Sequence, residues 1–154
     1  MHKRIEGWGW NFYVSLNKVQ QTIGVNNKLG DGQFFPLWDF DEHGTDYVVE
    51  QLLKTQREFS LPTIYVLQSS DTQHHHAFSF QRLSWHECVK AIGWPEGVDR
   101  QFYGLGALRG HYTLRIQDKD GYSTTLVQTL YSPRAETIDP MEVRSFAKYW
   151  TKRS

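Results

Sequence analysis

One cysteine, Cys88, stands in the whole sequence, so no internal disulfide can form and nothing points to an oxidising compartment. No stretch is apolar for long enough to span a bilayer, and Met1-His2-Lys3-Arg4-Ile5-Glu6-Gly7 lacks the apolar run of a signal peptide. The expectation is a cytoplasmic protein with no membrane partner. Net charge is missing too: 17 Lys and Arg balance 17 Asp and Glu. That balance argues against a protein that coats nucleic acid through bulk electrostatics, so any polyanion site must be local. Bound metal ions would supply such local positive charge. Repeats, low-complexity tracts and Pro/Ser-rich linkers are also absent, which predicts one domain over residues 1–154.

What is present suits a globular fold. A chain of 154 residues can bury enough surface to stand without staples, and aromatic residues make up 15% of it, including six Trp. Residues 11–16 read as a strand, 17–32 as a polar loop and 34–41 as a strongly apolar strand ending in acid. Val48, Val49, Leu52, Leu53 and Phe59 recur at helical spacing and predict a helix over 45–59, with Thr45 as its N-cap. Two strands over 63–67 and 75–80 form a hairpin across a polar turn. Ser84 and Glu87 make a capping box for a helix that Gly93 stops. An irregular connection carries Asp99, and strands over 112–116 and 124–131 pair across the turn Asp118-Lys119-Asp120-Gly121. Asp139, Pro140 and Glu142 open a last helix over 140–152. This order is α+β, with helices covering one face of a mainly antiparallel sheet.

Chemistry concentrates on a few residues. On a strand, Asp39 and Asp41 point one way while Trp38 and Phe40 point the other, so Trp38-Asp39-Phe40-Asp41 presents two carboxylates on one rigid face. Such a pair can bind divalent ions for phosphoryl chemistry, or simply guard a solvated strand end. His74 and His76 share a face with Phe78 and Phe80, where an imidazole could meet a triphosphate or be solvated in a turn. With one cysteine and no H-x₃₋₅-H spacing, structural zinc is disfavoured. Asp99 follows Val98, and a glycine-broken loop then leads to Arg109 and Arg115 flanking a strand. An acid followed by guanidinium groups offers a third metal ligand and phosphate clamps; helix cap and surface ion pairs are the plainer readings. The Gly104-x-Gly106 pair is a weak phosphate-loop signal.

Taken in order, Leu37-Trp38-Asp39-Phe40-Asp41, His74-His75-His76, and Val98-Asp99 with Arg109 and Arg115 resemble the three motifs of the archaeo-eukaryotic primase superfamily, the primase-polymerases. One departure is His74, which stands where that family's S-x-H motif has serine, unless Ser69 or Ser70 serves. The resemblance covers roughly residues 34–120. It implies an RRM-like catalytic core in which Asp39, Asp41 and Asp99 hold Mg²⁺ or Mn²⁺ and His76, with His74, Arg109 and Arg115, contacts the incoming nucleotide. It further implies templated synthesis of a primer or DNA strand from nucleoside triphosphates on single-stranded DNA, in a virus, plasmid or other mobile element, with a helicase or other replication proteins as partners. If those acids form the site, their carboxylates should converge within about 5 Å.

The terminal helix would place Arg144, Lys148 and Lys152 on one face near aromatic rings, which suits a single-stranded template or plain amphipathic packing. Two other readings stay open. An HUH-type rolling-circle nuclease would use His74 and His76 as ligands and Tyr149 as nucleophile, leaving Asp39 and Asp41 idle. A non-catalytic single-strand-binding module would keep the fold without the chemistry.

Overall fold

The computed structural model describes residues 2–7, 10–15, 19–69, 72–115, 123–143 and 146–152. They form a small α+β domain with antiparallel sheets and three helices. In chain order these are β1 (His2–Gly7), β2 (Trp10–Ser15), β3 (Val19–Asn26), β4 (Leu37–Phe40), α1 (Thr45–Glu58), β5 (Ile64–Gln68), β6 (His75–Ser79), α2 (Trp85–Gly93), α3 (Arg100–Arg109), β7 (Thr113–Arg115), β8 (Thr125–Leu130), a 3₁₀ turn (Pro140–Glu142) and β9 (Phe146–Lys152). No described helix is long and apolar enough to cross a membrane.

The central sheet runs β4-β6-β5-β8, and every neighbouring pair in it is antiparallel. Because β6 lies antiparallel to both β4 and β5, those two strands are parallel, and α1 connects them with β6 threaded between. This is a split β-α-β unit. Its helix-covered face follows from alternation: Trp38 and Phe40 are wholly buried, and the Trp38 indole N–H donates to the Ala91 carbonyl of α2 at 3.1 Å. From β6, His75 on the same face meets the Thr45 hydroxyl of α1 at 2.9 Å. Leu37, Asp39, His76 and Phe78 are left for the opposite face.

A second sheet, β7-β3-β9, and the β1-β2 hairpin complete the strands. Asn27, fully buried just past β3, ties the second sheet to the first: its amide N–H donates to the Phe35 carbonyl at 3.0 Å and its oxygen accepts from the Tyr112 N–H at 2.8 Å. The entry to β4 and the entry to β7 are thereby held to one side chain.

Several expected elements are corrected. The loop expected over 17–32 contains β3, whose polar run Gln20-Gln21-Thr22 hides its pairing with β9. The expected helix over 140–152 is one 3₁₀ turn followed by a strand: the capping box of Asp139 and Glu142 forms, but pairing with β3 claims the residues beyond it. The connection expected to be irregular is α3, with Asp99 as its N-cap and Gly110 at φ 74° as its left-handed end. β7 and β8 do not pair with one another, since they belong to different sheets, and the turn proposed at 118–121 lies outside the described residues. Gly44, not Thr45, precedes α1 as its cap.

Candidate active site

Three local structures converge on one pocket. β4 projects Asp39 on the face away from α1 and α2, and Asp41 follows at the strand's end. Asp99 arrives from the far side of α2, and the main chain brings it in: its N–H donates to the Asp39 carbonyl at 2.8 Å, and Val98 bridges Phe40. One Asp99 oxygen, Oδ1, accepts the Phe102 N–H at 2.5 Å and caps α3. Asp39, Asp41 and Asp99, together with Gln101, Arg109, His111 and Thr113, line a pocket of about 320 Å³.

The charges in it are strained. Asp39 is pushed up from 3.8 to about 7, first by burial and then by the neighbouring carboxylates of Asp41 and Asp99; Arg115 and His74 oppose the rise. Like charges brought together in a partly buried pocket raise the cost of the ionised state, a perturbation that functional sites and structural charge clusters share. Among the described residues, however, no three His, Cys, Asp or Glu side chains are grouped to hold a metal ion by themselves. The three carboxylates share a pocket and are electrostatically coupled, and among the described residues they form no three-ligand cage.

The histidines are placed differently from the acids. His76 pairs with Asp39 across β4 and β6, and its Nε2 lies 3.4 Å from Asp39 Oδ1. Only 5% of its surface is exposed. Burial, and then the Arg115 guanidinium, hold it down to about 3 from 6.5, against a hydrogen bond to the Arg115 main chain. At neutral pH the imidazole is therefore uncharged and its contact with Asp39 is not an ion pair. His76 and Arg115 line a neighbouring apolar cavity of about 280 Å³ between the two sheets, walled by Phe35, Leu37, Phe78 and Leu114. His74 lies 3.7 Å from Asp41 at the half-exposed rim.

Of the residues singled out from the sequence, Asp39, Asp41, Asp99 and Arg109 share the pocket, and His76 and Arg115 stand beside Asp39. Arg144 lies outside the described residues, and of Lys148, Lys152 and Tyr149 only the main chain, in β9, is described. Lys148 and Lys152 lie on the strand β9 and not on the expected helix. Gln101, His111 and Thr113 were not foreseen. The signal that could have found His111 is Arg109-Gly110, a basic last turn followed by a left-handed glycine.

Gly104-x-Gly106 is not a phosphate loop. Both glycines lie inside α3, and a Cβ on Gly106 would sit 2.1 Å from the Tyr112 ring, so that glycine serves close packing of helix on ring. Compared with protein-family models, with curated proteins and with solved structures, the chain has no match in any of the three.

Proposed function

We propose that the chain is a metal-dependent nucleotidyltransferase that builds a primer or DNA strand from nucleoside triphosphates on a single-stranded DNA template, with an RRM-like core of the primase-polymerase kind. The observation that carries this reading is the pocket that Asp39, Asp41 and Asp99 share with Arg109, with the three acids electrostatically coupled. The split β-α-β unit that presents Asp39 supports the core assignment.

The donor set fits Mg²⁺ or Mn²⁺. Mg²⁺ keeps several waters and takes one or two carboxylates plus substrate phosphates rather than a full protein cage, and Asp39 with Asp41 offers that partial set of hard oxygens. Asp99 supplies further negative charge, with one oxygen committed to its helix. When bound, the ions would neutralise phosphate charge and assist in-line attack. The chain's own groups do the rest. In this reading Arg109, which lines the pocket, would clamp a phosphate, and His111 and Gln101 of the same lining would add donors. His76 is a positioning residue in this reading, holding Asp39 by a neutral contact.

The test is incubation of primed and unprimed single-stranded DNA with nucleoside triphosphates and Mg²⁺ or Mn²⁺. Asp39→Ala, Asp41→Ala and Asp99→Asn are each expected to lower extension by at least about a hundredfold, a typical loss for a preorganised electrostatic group. Asn still caps a helix, so the last variant removes charge and keeps α3. Tyr149→Phe should extend normally. A metal-dependent nick that leaves DNA covalently attached to Tyr149 overturns the proposal.

A further inference from the structure

A second surface lies at the opposite edge of the central sheet from the acids, where α1 ends and β8 runs out. Gln56, Arg57, Ser60 and Leu61 form one wall of a groove of about 470 Å³, and Tyr131 to Arg134 form the other. Its geometry is fixed by local chemistry. α1 closes in a Schellman motif, with Ser60 left-handed at φ 53°, the Leu61 N–H on the Gln56 carbonyl at 2.9 Å and the Ser60 N–H on the Arg57 carbonyl at 3.3 Å. Those bonds satisfy helix-end carbonyls that would otherwise face an incoming anion. The Gln56 side chain then donates to the Pro62 carbonyl and to the Leu130 carbonyl, both at 2.9 Å, locking the helix end to the strand end. The Ser132 hydroxyl accepts the Arg134 N–H at 3.2 Å and shapes the turn on the other side.

Two guanidinium groups and one bare ring occupy this frame. Arg57 and Arg134 are exposed, no Asp or Glu lines the groove, and neither arginine pairs with a carboxylate among the described residues. Tyr131 is 84% exposed, which is unusual for a ring this size without a partner. In a chain of zero net charge, a groove that collects arginines and no acids is a local anion site. An uncovered ring in the same groove as the cations favours a polymer that alternates phosphate with a flat base over a simple anion.

We propose that this groove binds a single-stranded nucleic acid, with Arg57 and Arg134 on successive phosphates and a base stacked on Tyr131. The choice of polyanion rests on reading the acid pocket as a polynucleotide site; the groove's cationic character does not.

The test is fluorescence anisotropy of a labelled single-stranded oligothymidylate with the full chain, with inorganic polyphosphate as competitor. Arg57→Glu with Arg134→Glu should weaken binding by at least about tenfold and reduce the dependence of log affinity on log salt by about 1.4, as expected for two phosphate contacts on a single strand. Tyr131→Ala should weaken the oligonucleotide about tenfold and leave polyphosphate unchanged. All three side chains are exposed, so the variants should melt like the wild type. Unaltered oligonucleotide affinity in both variants overturns the proposal, as does an equal effect of Tyr131→Ala on polyphosphate. Loss of binding in the groove variants without any nucleotide incorporation by the wild type keeps the groove and removes the polymerase reading. Incorporation with groove variants that bind normally does the reverse.

Discussion

Replacing Asp39 by Asn removes a carboxyl that burial, Asp41 and Asp99 push up from 3.8 to about 7, while leaving its shape in place. The sign of the effect follows from where the proton sits. Below pH 3.8 folded and unfolded chains both hold it, and the group is neutral to stability. Between 3.8 and about 7 the unfolded chain releases the proton while the folded chain keeps it, so stability falls as pH rises; above about 7 the whole penalty is present. At one pKa unit per 1.36 kcal/mol, a shift of this size is on the order of 4 kcal/mol. Asp39 keeps 23% of its side-chain surface exposed, and solvent screening brings the expected penalty to about 2 kcal/mol. The assay is urea unfolding of wild type and Asp39→Asn in chelator, from about pH 4 to about pH 8.5, with the difference in stability plotted against pH. His76 adds an opposite slope to both proteins, because its unfolded form takes up a proton below 6.5 and its folded form waits until about 3, so the difference cancels it. Asp39→Asn should gain on the wild type as pH rises towards 7 and hold its advantage above. Mn²⁺ at high pH should narrow the gap by stabilising the wild type. A difference that is flat across the range, or that grows towards acid, refutes the placing of a crowded carboxyl at Asp39.

Two glycines of α3 should behave oppositely. Gly104→Ala meets open space in a helix and should stabilise by about 0.5–1 kcal/mol, whereas Gly106→Ala drives a methyl into the Tyr112 ring and should cost about 1–3 kcal/mol, both read by thermal unfolding. Asn27→Ala strips partners from the Phe35 carbonyl and the Tyr112 N–H, and should cost about 2–5 kcal/mol in urea unfolding, since each buried group left unpaired costs ~1–3 kcal/mol.

Legibility in the sequence tracked how local the determining physics is. α1, the hairpin of β5 and β6, and the Ser84-Glu87 capping box of α2 are set by contacts within a few residues, and all could be read directly. The alternation that sets Asp39 apart from Trp38 and Phe40 belongs to the same class, whereas Asp41 lies past the end of β4. α3 escaped because Gly104 and Gly106 interrupt its pattern, and the reason for Gly106 is the Tyr112 ring, six residues on, which meets it only once the chain turns back on the helix. β3 and β9 escaped together, since each is a strand chiefly by virtue of the other, across more than a hundred residues of chain. The same distance explains the site. Val98-Asp99 could be matched to the acids by order, but its attachment to β4 through the Phe40–Val98 bridge is visible only in three dimensions.

That attachment separates shape from chemistry. The three acids are spaced by main-chain bonds, Asp99 N–H to the Asp39 carbonyl and Phe40 against Val98, which no side-chain substitution at 39, 41 or 99 removes. A descendant could therefore exchange every carboxylate for an amide and keep the pocket's outline. Loss of the acids' charge, and its return, would then pass through folded proteins at every step.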